Sequence, residues 1–258
     1  MAPVLIKAGT FSVSSYSLFI FLGAAVIFGS GLFLSAKRGL PVMETAALLF
    51  FGLAAAVIGA KIYLWIILSI QGIPAAGHSF LGLFTIPKGE GGFLGALTGG
   101  ALFAVFYSRR YRLPFWELGD HLAPGLAAGF AVMKIGCFLA GCCSGTVSFL
   151  PWAVRFPLQD YSVHPVQLYE SGLALILALI LYRKHGRKRW MHGKLMGLFI
   201  TVFSIIRIST AFFRSQSQPE FIINQLSFLA AMGIGIWILS SRKMSSLSLT
   251  IHDQRRSL

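Results

Sequence analysis

Gly119 to Gly145 reads GDHLAPGLAAGFAVMKIGCFLAGCCSG, and this stretch decides the fold. From Leu122 to Ala140 it carries a single charged residue, Lys134, in an otherwise apolar run long enough to cross a bilayer. The end of the run then gathers that cation, all three cysteines of the chain and the glycines Gly136, Gly141 and Gly145. Charge and thiols so close to a lipid core are costly to place, which points to function. The structural alternative is a snorkelling lysine beside small packing residues.

The rest of the chain repeats the pattern. Of its 258 residues 56% are hydrophobic and 12% charged, with a mean hydropathy of +0.75; soluble domains carry roughly 25% charge. Apolar runs recur from Tyr16 onward, which implies an all-α polytopic membrane protein. The net charge of +14 sits in short loops between those runs. Its expected partner is an anionic membrane leaflet, and no nucleic-acid module is present in the sequence.

Seven spans are expected, at about 16–36, 45–71, 92–107, 119–140, 166–182, 194–213 and 221–240. Fifteen Lys and Arg residues follow the odd-numbered spans, and four, Lys7, Lys88, Arg155 and Arg214, fall on the other side. That asymmetry places the N-terminus outside and the C-terminus in the cytoplasm of a multi-pass membrane protein. No cleavable leader is expected, because Lys37 and Arg38 anchor the far end of the first run. Residues 1–258 read as one membrane domain, with a mobile basic tail over 241–258.

Glycines punctuate two spans. Gly91, Gly95 and Gly99 recur every four residues, and Gly125 and Gly129 do the same, the spacing of small faces that let helices approach closely in lipid. Pro124, Gly136, Gly141 and Gly145 predict a bent or broken fourth helix, and irregular backbone at that depth lines a cavity or is buried in protein. The segment 146–165, with Trp152, Arg155, Tyr161 and His164, reads as interfacial.

The topology brings polar groups to one depth. At about 1.5 Å per residue, Lys61 lies about 24 Å along the second span, Lys134 about 22 Å along the fourth and Arg207 about 20 Å along the sixth. Glu90 precedes the third span, Gln167 and Glu170 open the fifth, and Tyr16 opens the first. Independent elements thus deliver cations, acids and amides to the outer half of the bilayer. Three cations at that level suit a lipid phosphate, gripped by arginine as a fork and by lysine as a point charge. Taken singly, Lys61 is explained by snorkelling and Arg207 by pairing with Glu170.

The cysteines admit several readings. Cys137, Cys142 and Cys143 lack the paired spacing of common zinc sites and have no histidine beside them, so no metal is expected. An uninterrupted helix would hold Cys137 and Cys142 too far apart for a disulfide, whereas a break at Gly141 would let them meet. Small apolar packing accounts for each of them equally well.

In their order along the chain, these residues resemble the bacterial prolipoprotein diacylglyceryl transferase family. The resemblance runs through Pro3-Val4-Leu5 with Ser15-Tyr16, Gly59-Ala60-Lys61-Ile62-Tyr63, Glu90-Gly91-Gly92, the segment Lys134–Gly145, Pro151-Trp152-Ala153, His164-Pro165-Val166-Gln167-Leu168-Tyr169-Glu170, Arg207 with Phe212-Phe213-Arg214, and Gln225-Leu226-Ser227. The chain departs from the family pattern at chemically prominent places. Lys134 stands where the family has arginine, Cys137 and Ala140 where it has asparagine, Cys142 where it has glutamate and Glu90 where it has histidine. Phe203 replaces a tyrosine and Ala211 a glutamate, while Gly136, Gly145, Gln167, Glu170 and Arg207 agree.

The resemblance implies a seven-span α-helical enzyme that moves diacylglycerol from phosphatidylglycerol to the thiol of a lipobox cysteine in a prolipoprotein signal peptide, without a cofactor. Arg207, Lys134 and Lys61 would hold the phosphate, Glu90 would take the thiol proton, and Cys142 joins the catalytic candidates. Tyr16, Gly91, Gly92, Cys137, Gly145, Gln167, Glu170 and Arg214 would line the substrate site. Two alternatives stand beside this reading. One is a lipid enzyme that uses Cys142 or Cys137 as nucleophile or redox thiol; the other is a non-catalytic lipid- or lipoprotein-binding membrane protein.

Overall fold

The computed structural model describes residues 4–8, 11–70, 92–157, 159–185, 187, 192–216 and 218–256. The chain forms two compact units, one of Met1–Leu34 with Trp116–Leu258 and the other of Ser35–Phe115.

The first unit opens with strands β1 (Val4–Ala8) and β2 (Phe11–Ser14), an antiparallel pair that the sequence reading did not foresee. Helix α1 (Ser15–Ala36) follows directly. The unit then continues through α4 (Phe115–Ala140), a short antiparallel ladder of β3 (Val154–Arg155) and β4 (Ser162–Val163), α5 (Val166–Lys184), α6 (Lys194–Ala211) and α7 (Gln218–Arg256). The second unit holds α2 (Val42–Ile70) and α3 (Phe93–Arg110).

Among the described residues, six helices are long and apolar enough to cross a membrane: Ser15–Ala36, Val42–Ile67, Phe115–Ala140, Val166–Lys184, Lys194–Ala211 and Glu220–Ser241. The seventh, α3, ends on Arg109 and Arg110, and these cations dilute its 18 residues. All seven expected spans therefore fall on helices, within a few residues at each end. Beyond the last span the α7 backbone stays helical to Arg256.

The fourth span differs from expectation. It is one continuous helix through Pro124 and Gly136, and the chain turns only at Gly141, whose φ is +74°. Helices in lipid tolerate an internal proline when neighbours satisfy the freed backbone groups. Gly136 serves packing instead of a break, since a Cβ there would collide with Phe19 of α1.

With no hydrophobic drive between helices in lipid, association rests on close van der Waals packing. In the first unit a Cβ at Gly129 would meet the Gly23 carbonyl and Ile27, and one at Gly125 would meet Ser30. Gly235 of α7 packs in the same way on Thr201 of α6. In the second unit Gly95 and Gly99 lie against Gly59 and Ala55, with no room for a side chain. Both small-residue faces read from the sequence are therefore helix contacts, with Gly91 outside the described residues.

Polar groups tie the start of α4 to its neighbours. The fully buried Asp120 accepts backbone N–H bonds from Gly193 (2.7 Å) and Met196 (2.9 Å), capping α6. Beside it, His121 Nδ1 and His185 Nε2 lie 2.9 Å apart.

Candidate active site

The far end of the first unit is organised around one carboxylate. Glu170, in the first turns of α5, is clasped between Lys134 of α4 and Arg207 of α6. Their exposures are 1%, 8% and 6%, so all three are buried. Thr210, one turn beyond Arg207, donates a third bond to Glu170 Oε1 at 3.2 Å. Ser171 Oγ donates to the Ala131 carbonyl at 2.9 Å and fixes α5 against α4 at this level. A buried carboxylate is tolerable only when paired this fully.

Aromatic rings back both cations. Lys134 Nζ lies 5.3 Å from the centre of the Phe130 ring, and Arg207 Cζ lies 5.3 Å from that of Phe228. Phe203 bridges them edge-on, 4.8 Å from Phe130 and 6.4 Å from Phe228. This wall keeps water away from the charges and strengthens their fields. The sequence reading missed it, although its spacing was present: Phe130 and Phe203 each lie four residues before their cation, one helical turn away.

Beyond Ala140 the chain leaves helix in a tight turn. Gly141 and Cys143 both have positive φ, +74° and 59°, and the Cys142 N–H returns to the Cys137 carbonyl at 3.1 Å. Gln167 donates to the Cys142 carbonyl at 2.7 Å. The Sγ atoms of Cys137, Cys142 and Cys143 come within 4.8 Å of one another. Hydrogen bonds from the other two thiols, followed by the charges of Lys134 and Arg214, draw the Cys143 thiol below its usual range.

Arg214 is brought in by a backbone junction. Gly145 bridges it in antiparallel fashion, the Gly145 N–H donates to the His164 carbonyl (3.1 Å), and the Thr146 N–H donates to that of Phe213 (2.8 Å). A Cβ at Gly145 would strike both carbonyls, which accounts for glycine there. The charge of Arg214 acts on Glu170, Arg207 and Cys143. A cavity of about 360 Å³ opens beside it, lined by Thr146, Phe212, Arg214, Gln216 and Phe221 among others.

Of the residues singled out in the sequence, Lys134, Glu170, Arg207, Arg214, Gln167, Cys137, Cys142 and Gly145 converge here. Tyr16 lies in the first turn of α1. Lys61 and Gly92 belong to the second unit, where Lys61 is in α2 and Gly92 caps α3. Glu90 and Gly91 lie outside the described residues. Thr210, Ser171 and the phenylalanine wall are the additions.

A model of the prolipoprotein diacylglyceryl transferase family matches residues 3–241. The chain belongs to this family. Relatives named phosphatidylglycerol–prolipoprotein diacylglyceryl transferase include those of Legionella pneumophila strain Paris and Chromohalobacter salexigens. The first is 29% identical over 92% of this chain and 95% of its own length. The second is 29% identical over 98% and 93%. That of Glaesserella parasuis is 30% identical over 82% and 79%. With its apolar helices, membership makes the chain a multi-pass membrane transferase of lipoprotein biosynthesis.

Proposed function

We propose that this enzyme moves the diacylglyceryl group of phosphatidylglycerol to the thiol of a lipobox cysteine, with Lys134, Arg207 and Arg214 holding the phosphate. One observation carries the reading: two buried cations, Lys134 and Arg207, share a single carboxylate, Glu170. Counted as formal charges, that triad has an excess of one positive charge, and Arg214 follows it in the chain junction beside Gly145.

The chemistry needs that excess. The acceptor sulfur attacks the glyceryl carbon next to the phosphate, and the C–O bond breaks with its electron pair going to oxygen. A phosphodiester with one negative charge becomes glycerol phosphate, which carries up to two. Cations fixed in place before the reaction stabilise the charge that develops on the leaving group. Glu170 acts as positioning residue: it keeps the two buried cations together and ionised, and does not itself meet substrate. Arg207 contributes directional donors and Lys134 a point charge. Glu90 is the carboxylate assigned to the thiol proton.

The cation asymmetry supports an orientation with the N-terminus outside and this site toward the outer leaflet of the bacterial plasma membrane, where exported prolipoprotein signal peptides are presented. From the sequence, Lys61 is assigned a supporting role toward the headgroup, and Tyr16, Gly91 and Gly92 roles in substrate binding.

The test is purified protein in detergent or vesicles with labelled phosphatidylglycerol and a lipobox peptide, read by mass spectrometry. A thioether-linked diacylglyceryl peptide with release of glycerol phosphate is expected. Absence of product with properly folded protein would refute the reading in favour of lipid or lipoprotein binding.

A further inference from the structure

The triad accounts for the phosphate and leaves the cluster of three thiols without a task. Cys137 lies in the last turn of α4, and Cys142 and Cys143 follow it beyond the helix end, so that three sulfurs from seven consecutive residues lie within 4.8 Å of one another. The arrangement is built at some cost. Cys143 holds φ at 59°, in a region that non-glycine residues rarely occupy and that persists when the surroundings enforce it. The Cys142 backbone is pinned from both sides, by Cys137 and by Gln167.

Three sulfurs with no fourth protein ligand in the cluster among the described residues match the donor set of a zinc ion that keeps one position open for substrate. Zn–S bonds of about 2.3 Å place tetrahedral sulfurs about 3.8 Å apart, so side-chain rotations of about 1 Å close the site. Three thiolates leave the complex with one net negative charge, and Lys134 sits three residues before Cys137 on the same helix, about one turn away. Thiolate is a soft donor that favours zinc over magnesium or calcium.

We propose that Cys137, Cys142 and Cys143 bind Zn²⁺, and that the open fourth position takes the acceptor thiol. This rests on the diacylglyceryl transfer proposed above and supplies its nucleophile. A coordinating thiol is deprotonated outright. Its S–H bond breaks, the proton passes to solvent or to Glu90, and the sulfur lone pair forms the new C–S bond as the C–O pair leaves with phosphate. The zinc is neither oxidised nor reduced. The sequence hid this site because the C-x₄-C-C spacing matches no common zinc pattern.

The experiment uses the reduced full-length protein, titrated with Co²⁺ as a spectroscopic probe and then with Zn²⁺. One cobalt per chain is expected, with sulfur-to-cobalt charge-transfer and tetrahedral d–d bands that zinc abolishes. Cys137→Ser, Cys142→Ser and Cys143→Ser should each weaken binding by more than the roughly 100-fold that loss of an outer-sphere partner costs. Zinc should also shield all three thiols of the wild type from alkylation, a readout that does not depend on any variant folding. A lipobox peptide should intensify the charge-transfer band, and its Cys→Ser version should not. Turnover by a protein that binds no cobalt, or that binds only Cu⁺, overturns the zinc site and leaves the transferase reading intact. Cobalt held by three thiols and the peptide, without thioether formation from phosphatidylglycerol, instead overturns the transferase reading and with it the metal's role.

Discussion

Helix α4 buries charge near both ends, and the two ends differ in kind. At the start, Asp120 spends both carboxylate oxygens on backbone N–H groups that open α6, beside the paired His121 and His185. At the end, Lys134 shares Glu170 with Arg207 while Arg214 adds a further charge. The first cluster satisfies itself with fixed backbone dipoles, which is what a structural cap requires. The second carries surplus positive charge behind an aromatic wall, which is what an anionic ligand requires. Burial of polar groups does not distinguish scaffold from site. The sign of the surplus does.

The largest expected effect falls at the surplus end. Arg207→Ala should lower turnover by about 10²–10³-fold, the range for losing one preorganised donor to a developing anion. Lys61→Ala should cost about tenfold or less, since near the interface water replaces part of an ammonium's role. Parallel assays of labelled lipid transfer check this, and equal, near-normal turnover in both variants would break the assignment.

An intermediate effect is expected from Asp120→Ala. Loss of the cap should cost about 1–2 kcal/mol of stability and leave turnover per folded molecule within about twofold of wild type. Thermal unfolding in detergent beside the transfer assay separates the two quantities. A variant of normal stability and lost turnover would move Asp120 into the site and erase the contrast between the ends.

Much of this contrast was legible in the sequence. Long apolar runs marked every membrane helix, and the depth of Lys134, Arg207 and Glu170 put them at one level before any contact was known. The remainder depended on partners remote in the chain. Asp120 reads as an ordinary helix acid until Gly193, seventy-three residues later, arrives at its oxygen. The β1–β2 pair is short and precedes the first apolar run, so its strands carry little periodic signal despite Gly9-Thr10 between them. Gly136 looked like a breaker because sequence alone does not show that Phe19 packs on it. A break at Gly141 was the condition the sequence set for Cys137 and Cys142 to meet, and the Gly141–Cys143 turn supplies it and brings in Cys143 as well.

The smallest perturbation sharpens the orientation. Reporter fusions after Arg112 and Arg189 should report cytoplasm, and one near Ser148 the outside, with little effect on activity for those near the loops. An external signal from the Arg189 fusion would invert the topology and move the surplus charge to the inner leaflet.

The most direct measurement of the central claim is binding of the leaving group itself. Glycerol phosphate, titrated into purified protein by calorimetry, should bind wild type and Asp120→Ala alike and bind Arg207→Ala at least about tenfold more weakly, with an affinity that falls as salt rises. Undiminished binding to a folded Arg207→Ala would contradict the account, because the phosphate would then be held elsewhere.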